Sequence, residues 1–145
     1  VVASYSAYST IGTEKLISEA MGGIVGYNNN SSSNVYGCYS THVSLLGTVN
    51  NRGSIAGYTG GHVTSCYAIL PDGVTGISLV GGGSFSSDHC VDAGGANYEV
   101  LVTGVDNLTA SDGSVWEAVK IWDLTASGTP TIVSTYICEP PATKP

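Results

Sequence analysis

Short apolar runs recur along the chain at nearly regular intervals. Ile24-Val25, Val35 to Tyr39 and Val63 to Tyr67 are β-branched or aromatic stretches separated by clusters of Gly, Asn and Ser. Each is too short for a helix and bounded by turn-forming residues, so the pattern predicts a succession of short strands.

The runs are copies of one another. GGIVGY at Gly22 to Tyr27 returns as GSIAGY at Gly53 to Tyr58, a displacement of 31, whereas Val35 to Val63 and Cys38-Tyr39 to Cys66-Tyr67 are displaced by 28. The difference of three falls where NNNSSSN in one copy stands against TGGH in the other. A polar insertion that leaves the apolar positions in step is how the loops of a stacked repeat vary. A third, degraded copy lies 24 residues further on, with Ser78-Leu79-Val80-Gly81 answering Ser54-Ile55-Ala56-Gly57 and Cys90 answering Cys66. Val1 to Ser6 match Val35 to Ser40 at a displacement of 34, so the chain opens in mid-repeat. Units of this length cannot bury an apolar face alone, but stacked at the strand spacing of about 4.8 Å they share one core. The expected fold is all-β, a parallel β-helix or β-solenoid with a C-terminal capping segment. Gly26, Gly57 and Gly81 are expected at equivalent corners with φ > 0, and Cys38, Cys66 and Cys90 one above another.

Composition agrees with this picture. At 145 residues the chain suits one core. Charged residues make up 10% and glycines number 20, against roughly 25% charged and about 7% Gly in an average soluble protein. Helical globules carry charged outer faces, so this balance favours a Gly-punctuated β chain with an uncharged polar surface. Lys15, Arg52, Lys120 and Lys144 face eleven acidic residues, which leaves no positive field for nucleic acid or anionic lipid. No apolar run nears the roughly 18 residues of a membrane span, and the N-terminus lacks a signal-peptide pattern. The chain reads as a mature or excised piece of something larger.

Residues 21–90, through GGIVGYNNNSSSNVYGCYS and GSIAGYTGGHVTSCYA, resemble the GLUG repeat of secreted bacterial surface proteins, among them adhesin-like proteins and some peptidases. The resemblance implies a β-helical rod at the cell exterior and implies no catalytic site, because the repeat is a scaffold element. Partial copies extend the repeat region to residues 1–95. Residues 96–138 form a C-terminal segment, and 139–145, EPPATKP, read as a tail or linker. The stretch from Val115-Trp116 to Ile121-Trp122-Asp123-Leu124, then Gly128 to Ile132, is similar to the Trp-rich ending that often follows GLUG repeats. Trp116 and Trp122 are expected to plug an open end, with Thr131 to Ile137 as a covering strand.

The candidate chemistry is sparse. Stacked, Cys38, Cys66 and Cys90 admit three readings: a ladder of reduced core thiols, one disulfide, or a metal site. Cys138 makes the count even only by reaching across the fold. Asp88-His89-Cys90 resembles a nucleophile with its base, but strand alternation turns His89 away from both neighbours. His42 and His62 read as solvated turn residues. Asp72, Asp88 and Asp92 are too dispersed for a polysaccharide-cleaving pair unless two meet across copies. Tyr27, Tyr39, Tyr58 and Tyr67, with Tyr5, are candidates to stack on a ligand, with rings stacked on one another as the alternative.

These observations lead to a non-enzymatic, cofactor-free, extracellular module, a stalk or adhesive element at the bacterial surface. Surface glycans or host or bacterial proteins are its expected partners, and the unblunted edge at residues 1–12 is expected to pair with a preceding segment of the parent protein, a neighbouring subunit or the chain's own C-terminal strand, with head-to-tail self-association as the boldest form. A carbohydrate-binding module using the Tyr stripe is the alternative, and a degenerate polysaccharide-active enzyme stands behind it.

Overall fold

The computed structural model describes residues 1, 4–88, 90–92, 101, 108–109, 115–116, 122–124 and 130–132. These residues are all-β, with no α-helix among them. The strands are β1 (Tyr5–Ala7), β2 (Thr10–Gly22), β3 (Val25–Asn28), β4 (Asn34–Tyr36), β5 (Tyr39–Thr41), β6 (Ser44–Gly53), β7 (Ala56–Thr59), β8 (His62–Thr64), β9 (Tyr67–Ile69), β10 (Val80–Gly82), β11 (Ser86–Asp88) and β12 (Val91–Asp92). The short β13 (Leu108–Thr109), β14 (Val115–Trp116), β15 (Trp122–Asp123) and β16 (Thr131–Ile132) follow.

Four small parallel sheets organise the first twelve strands: β1-β5-β9-β12, β3-β7-β10, β4-β8-β11 and the long pair β2-β6. No sheet takes more than one strand from any copy of the repeat. Tyr5 pairs with Tyr39, Tyr39 with Tyr67, and Tyr67 with Val91. Val35 pairs with Val63, Tyr27 with Tyr58, and Gly22 with Gly53. Copies of unequal length keep this register because the differences sit between paired segments. A register shift between Gly12 and Ile17 absorbs one. Residues 29–33 face only residues 60–61 in the next copy, which absorbs another. The link from β9 to β10, residues 70–79, is shorter than the link from β5 to β7, and β6 gains no third partner among the described strands.

Alternation along β5 and β9 divides the interior in two. Val35, Cys38, Ile55, Ala56, Val63, Cys66, Ala68 and Val80 form the core between the sheets. Tyr39 and Tyr67, one residue on from the cysteines, point to the opposite face and pack with Leu101 and Trp122. Met21, Val43 and Leu45 close the space beside the β2-β6 pair.

The glycine expectation needs correction. Gly26, Gly57 and Gly81 do occupy equivalent positions, but inside β3, β7 and β10 rather than at corners, and none has positive φ. What selects glycine at 57 and 81 is close approach: a Cβ on Gly57 would strike the Met21 backbone, and one on Gly81 would strike the Arg52 backbone. Met21 and Arg52 are themselves register partners. Left-handed corners lie elsewhere, at Gly37 (φ 58°) and its counterpart Ser65 (φ 52°), and at Tyr8 (φ 47°) and its counterpart His42 (φ 50°).

Trp122 does not plug an end of the stack of sheets. Its Nε1 donates to the Gly37 carbonyl at 2.8 Å, and its ring lies 5.2 Å from Tyr39 and 6.2 Å from Tyr5, against the side of the β1-β5-β9-β12 sheet. Gly37 has no side chain to shield its carbonyl, and the tyrosines offer an apolar wall, so the indole finds both its partners there. Thr131–Ile132 pairs antiparallel with Trp122–Asp123. The Trp116 side chain, the remainder of the expected covering strand, Cys138 and the tail at 139–145 lie outside the described residues.

Candidate functional site

Three ladders of rings run between the sheets' strands. Tyr27 stacks on Tyr58 at 4.8 Å with planes 11° apart. Tyr5 stacks on Tyr39 at 5.2 Å and 12°. Tyr8 stacks on His42 at 4.8 Å and 6°, and the His42 Nδ1 lies 2.8 Å from the Thr41 hydroxyl. In-register parallel pairing forces this geometry, since partner residues project the same way one strand spacing apart.

The four candidate tyrosines therefore divide. Tyr27 is 53% exposed and Tyr58 half-buried, whereas Tyr39 and Tyr67 are buried at 1% and 0%. The last two cannot stack on a ligand: Leu101 and Trp122 cover them, and the Tyr39 hydroxyl donates to the Pro130 carbonyl at 2.6 Å. Tyr58 has one face against Tyr27. Beyond it in the same row stands Gly82, which carries no ring.

Cys38 and Cys66 are free thiols, both fully buried, and Cys90 is half-buried. Each sulfur lies within hydrogen-bond reach of a carbonyl: Cys38 of Tyr36 at 3.3 Å, Cys66 of Thr64 at 3.3 Å, and Cys90 of Val63 at 3.3 Å. Hydrogen bonding to Cys38 and then to Cys90, with burial behind them, pushes the Cys66 thiol well above its usual range. Cys38 is pulled lower because Cys66 donates to it, and the Ser4 amide adds a further bond. Of the two fully buried sulfurs, Cys66 is thus the one that holds its proton. No group of three His, Cys, Asp or Glu side chains among the described residues is placed to hold a metal ion.

The histidine readings change in part. His42 sits in a turn, but His62 lies in β8, where its Nδ1 is 2.6 Å from the exposed Ser86 hydroxyl of β11. His89 lies outside the described residues. Asp72 is exposed in the loop at residues 70–78, which with Ile69 surrounds an open hollow of 550 Å³.

The densest unexplained surface takes in the edge at residues 1–12 that the sequence singles out and extends beyond it into β2 and β3. Val1, Tyr5, Tyr8, Leu16, Ile17 and Tyr27 are six of the nine most exposed large apolar side chains among the described residues, and all lie in the segment from Val1 to β3. β1, β2 and β3 are edge strands with no partner on their outer side among those residues. β4 differs, because Val1 donates to the Asn34 carbonyl at 2.7 Å and accepts from the Tyr36 amide at 3.0 Å. Gly26 belongs to this surface too: among the described residues only the Ala20 carbonyl comes within reach of a Cβ there, at 3.8 Å, whereas backbone crowds Gly57 and Gly81. The available signal was that Tyr8 and His42 share the displacement of 34 that aligns Tyr5 with Tyr39.

No helix among the described residues is long and apolar enough to cross a membrane. Neither a protein-family model, nor a curated protein, nor a solved structure matches the chain.

Proposed function

We propose that the chain is a β-solenoid segment whose successive coils are β1–β4, β5–β8 and β9–β11, and that it serves as a non-enzymatic stalk or adhesive element of a bacterial surface protein outside the cell. The observation that carries this reading is the residue-for-residue pairing of corresponding positions, Tyr5 with Tyr39 with Tyr67 and Asn34 with His62 with Ser86. The likeness of residues 21–90 to the GLUG repeat and the low charge support the exterior location. A stack of parallel strands resists extension because each coil must be peeled from its neighbour, which suits a stalk.

Single-molecule pulling tests the stalk reading. Coils of 34, 28 and 24 residues predict stepwise lengthening of roughly 80–120 Å per event at about 3.5 Å per extended residue. One all-or-none extension would count against it. Protease treatment of intact producing cells tests location, and retention of chain-coated beads on bacterial and host surfaces tests adhesion.

A second reading, glycan binding, draws on Tyr27, whose half-exposed ring adjoins Asn28 and the polar loop at residues 29–33. Sugars stack on aromatic faces and bond to amides, so glycan-array binding that Tyr27→Ala abolishes would favour it.

A further inference from the structure

We propose that the open hollow walled by residues 69–78 is a binding site for an aliphatic ammonium group, carried by a free amine or by a lysine side chain. The site lies within the third copy of the repeat and stands whether or not the chain serves as a stalk.

The hollow is a built feature of the loop between β9 and β10. Both ends of that loop are tied to the second copy: the His42 amide donates to the Ile69 carbonyl at 2.8 Å, and the Ser54 amide to the Ser78 carbonyl at 2.8 Å. Between them the Val74 amide donates to the Pro71 carbonyl at 3.0 Å, and Gly73 and Gly76 hold φ of 78° and 77°. A Cβ on either glycine would meet nothing within 4 Å, so left-handed backbone rather than crowding calls for glycine there. The loop thus curls around a set volume of 550 Å³. Small-molecule sites usually enclose about 300–1,000 Å³.

The wall selects the ligand. Ile69, Leu70, Pro71, Val74 and Ile77 supply an aliphatic surface, and Val74 is exposed at 37%. An apolar stem laid there removes that surface from water. No aromatic ring lines the hollow, so a flat ring or a guanidinium plane finds nothing to stack on. Asp72 is the one charged residue in the wall. Lys15 and Arg52, the basic residues among the described ones, stand outside it, and Arg52 donates to the Gly47 carbonyl instead. The Asp72 carboxylate is therefore open to a cation from outside, and the Thr75 hydroxyl in the same wall can take a further N–H. Asp72 and a net charge of -7 both repel an anion. A bare metal ion finds no group of three His, Cys, Asp or Glu donors among the described residues.

Titration of the 145-residue chain with hexylammonium, hexanol and hexanoate, followed by amide NMR shifts at low ionic strength, tests the site. Hexylammonium should give saturable shifts centred on Gly73, Val74, Thr75 and Gly76, hexanol weaker ones and hexanoate none. Asp72 is exposed, so Asp72→Asn and Asp72→Lys leave the fold intact, which unchanged β5 and β9 amide shifts verify. Asp72→Asn should weaken hexylammonium about three- to fivefold, to the level of hexanol, and Asp72→Lys should turn the preference to hexanoate. Nα-acetyllysine methylamide separates the sources: binding as tight as that of hexylammonium marks a lysine side chain, and weaker binding a free amine. Equal binding of hexylammonium and hexanol to the parent chain would overturn the proposal. So would shifts that never saturate, or an affinity for hexylammonium that survives Asp72→Asn unchanged.

Discussion

The hydroxyl of Tyr39 donates a 2.6 Å hydrogen bond to the carbonyl of Pro130, joining residues 91 positions apart. Both residues are buried, so water cannot replace either partner. Tyr39→Phe keeps the ring stacked against Tyr5 and Trp122 and leaves the carbonyl unsatisfied. It should destabilise the domain by about 1–3 kcal/mol. Chemical denaturation followed by Trp fluorescence checks this, and an unchanged midpoint would mean the C-terminal segment does not hold the sheet through this bond.

Gly57 and Gly26 are equivalent in register and opposite in surroundings, which makes them a matched pair. Gly57→Ala drives a methyl into the Met21 backbone and should cost about 1–3 kcal/mol through overpacking. Gly26→Ala meets open space at unstrained φ and should be neutral or stabilise by about 0.4–1 kcal/mol through the unfolded chain. Thermal midpoints of the two variants, measured at equal low concentration, should move in opposite directions or differ by several degrees.

Tyr27 and Tyr58 stack without a covering layer, so their coupling can be isolated. A double-mutant cycle with Tyr27→Ala and Tyr58→Ala should give about 0.5–1.5 kcal/mol of favourable interaction. Zero coupling would show the two rings to be independent in solution.

Cys66 retains its proton beyond the ordinary thiol range because Cys38 and Cys90 bond to its neutral form and burial disfavours the thiolate. A raised folded value stabilises the fold fully below the unfolded thiol value of about 8.5, and the contribution fades as pH climbs towards the raised one. Stability should therefore fall between pH 8 and 10 more steeply in the parent than in Cys66→Ala. In native protein at pH 8, mass-resolved alkylation should label half-buried Cys90 before buried Cys66. Labelling of Cys66 first would show the core row to be open.

The pairing of Val35 with Val63 and Tyr39 with Tyr67 was legible because a strand repeat writes its register into sequence as a constant offset, and 28 residues separate both pairs. The inward row of Cys38 and Cys66 followed from the same offset. The burial of Tyr39 and Tyr67 was not legible, since Leu101 and Trp122, which cover them, lie in the C-terminal segment and share no offset with the repeat. Nor was the role of Gly57, because a glycine chosen for close backbone approach looks in sequence like one chosen for positive φ. Tyr8 over His42 escaped notice because the ladder continues through different residue types.

Unequal repeat lengths, 34, 28 and 24 residues between successive members of the Tyr5 row, bear on how the chain finds its structure. Closing a loop of 34 residues rather than 24 costs only about 0.3 kcal/mol more in chain entropy. No pair of neighbouring strands is thus privileged as a starting point by proximity alone, and burial must choose. The fully buried Ile55, Val63 and Cys66 have neighbours on both sides, which points to β7 and β8 as the nucleus, with assembly spreading outward in both directions. The bond from Tyr39 to Pro130 spans 91 residues, and its closure costs about 1 kcal/mol more than that of a 28-residue loop. Docking of the C-terminal segment is then a late event, made on a sheet that has already formed.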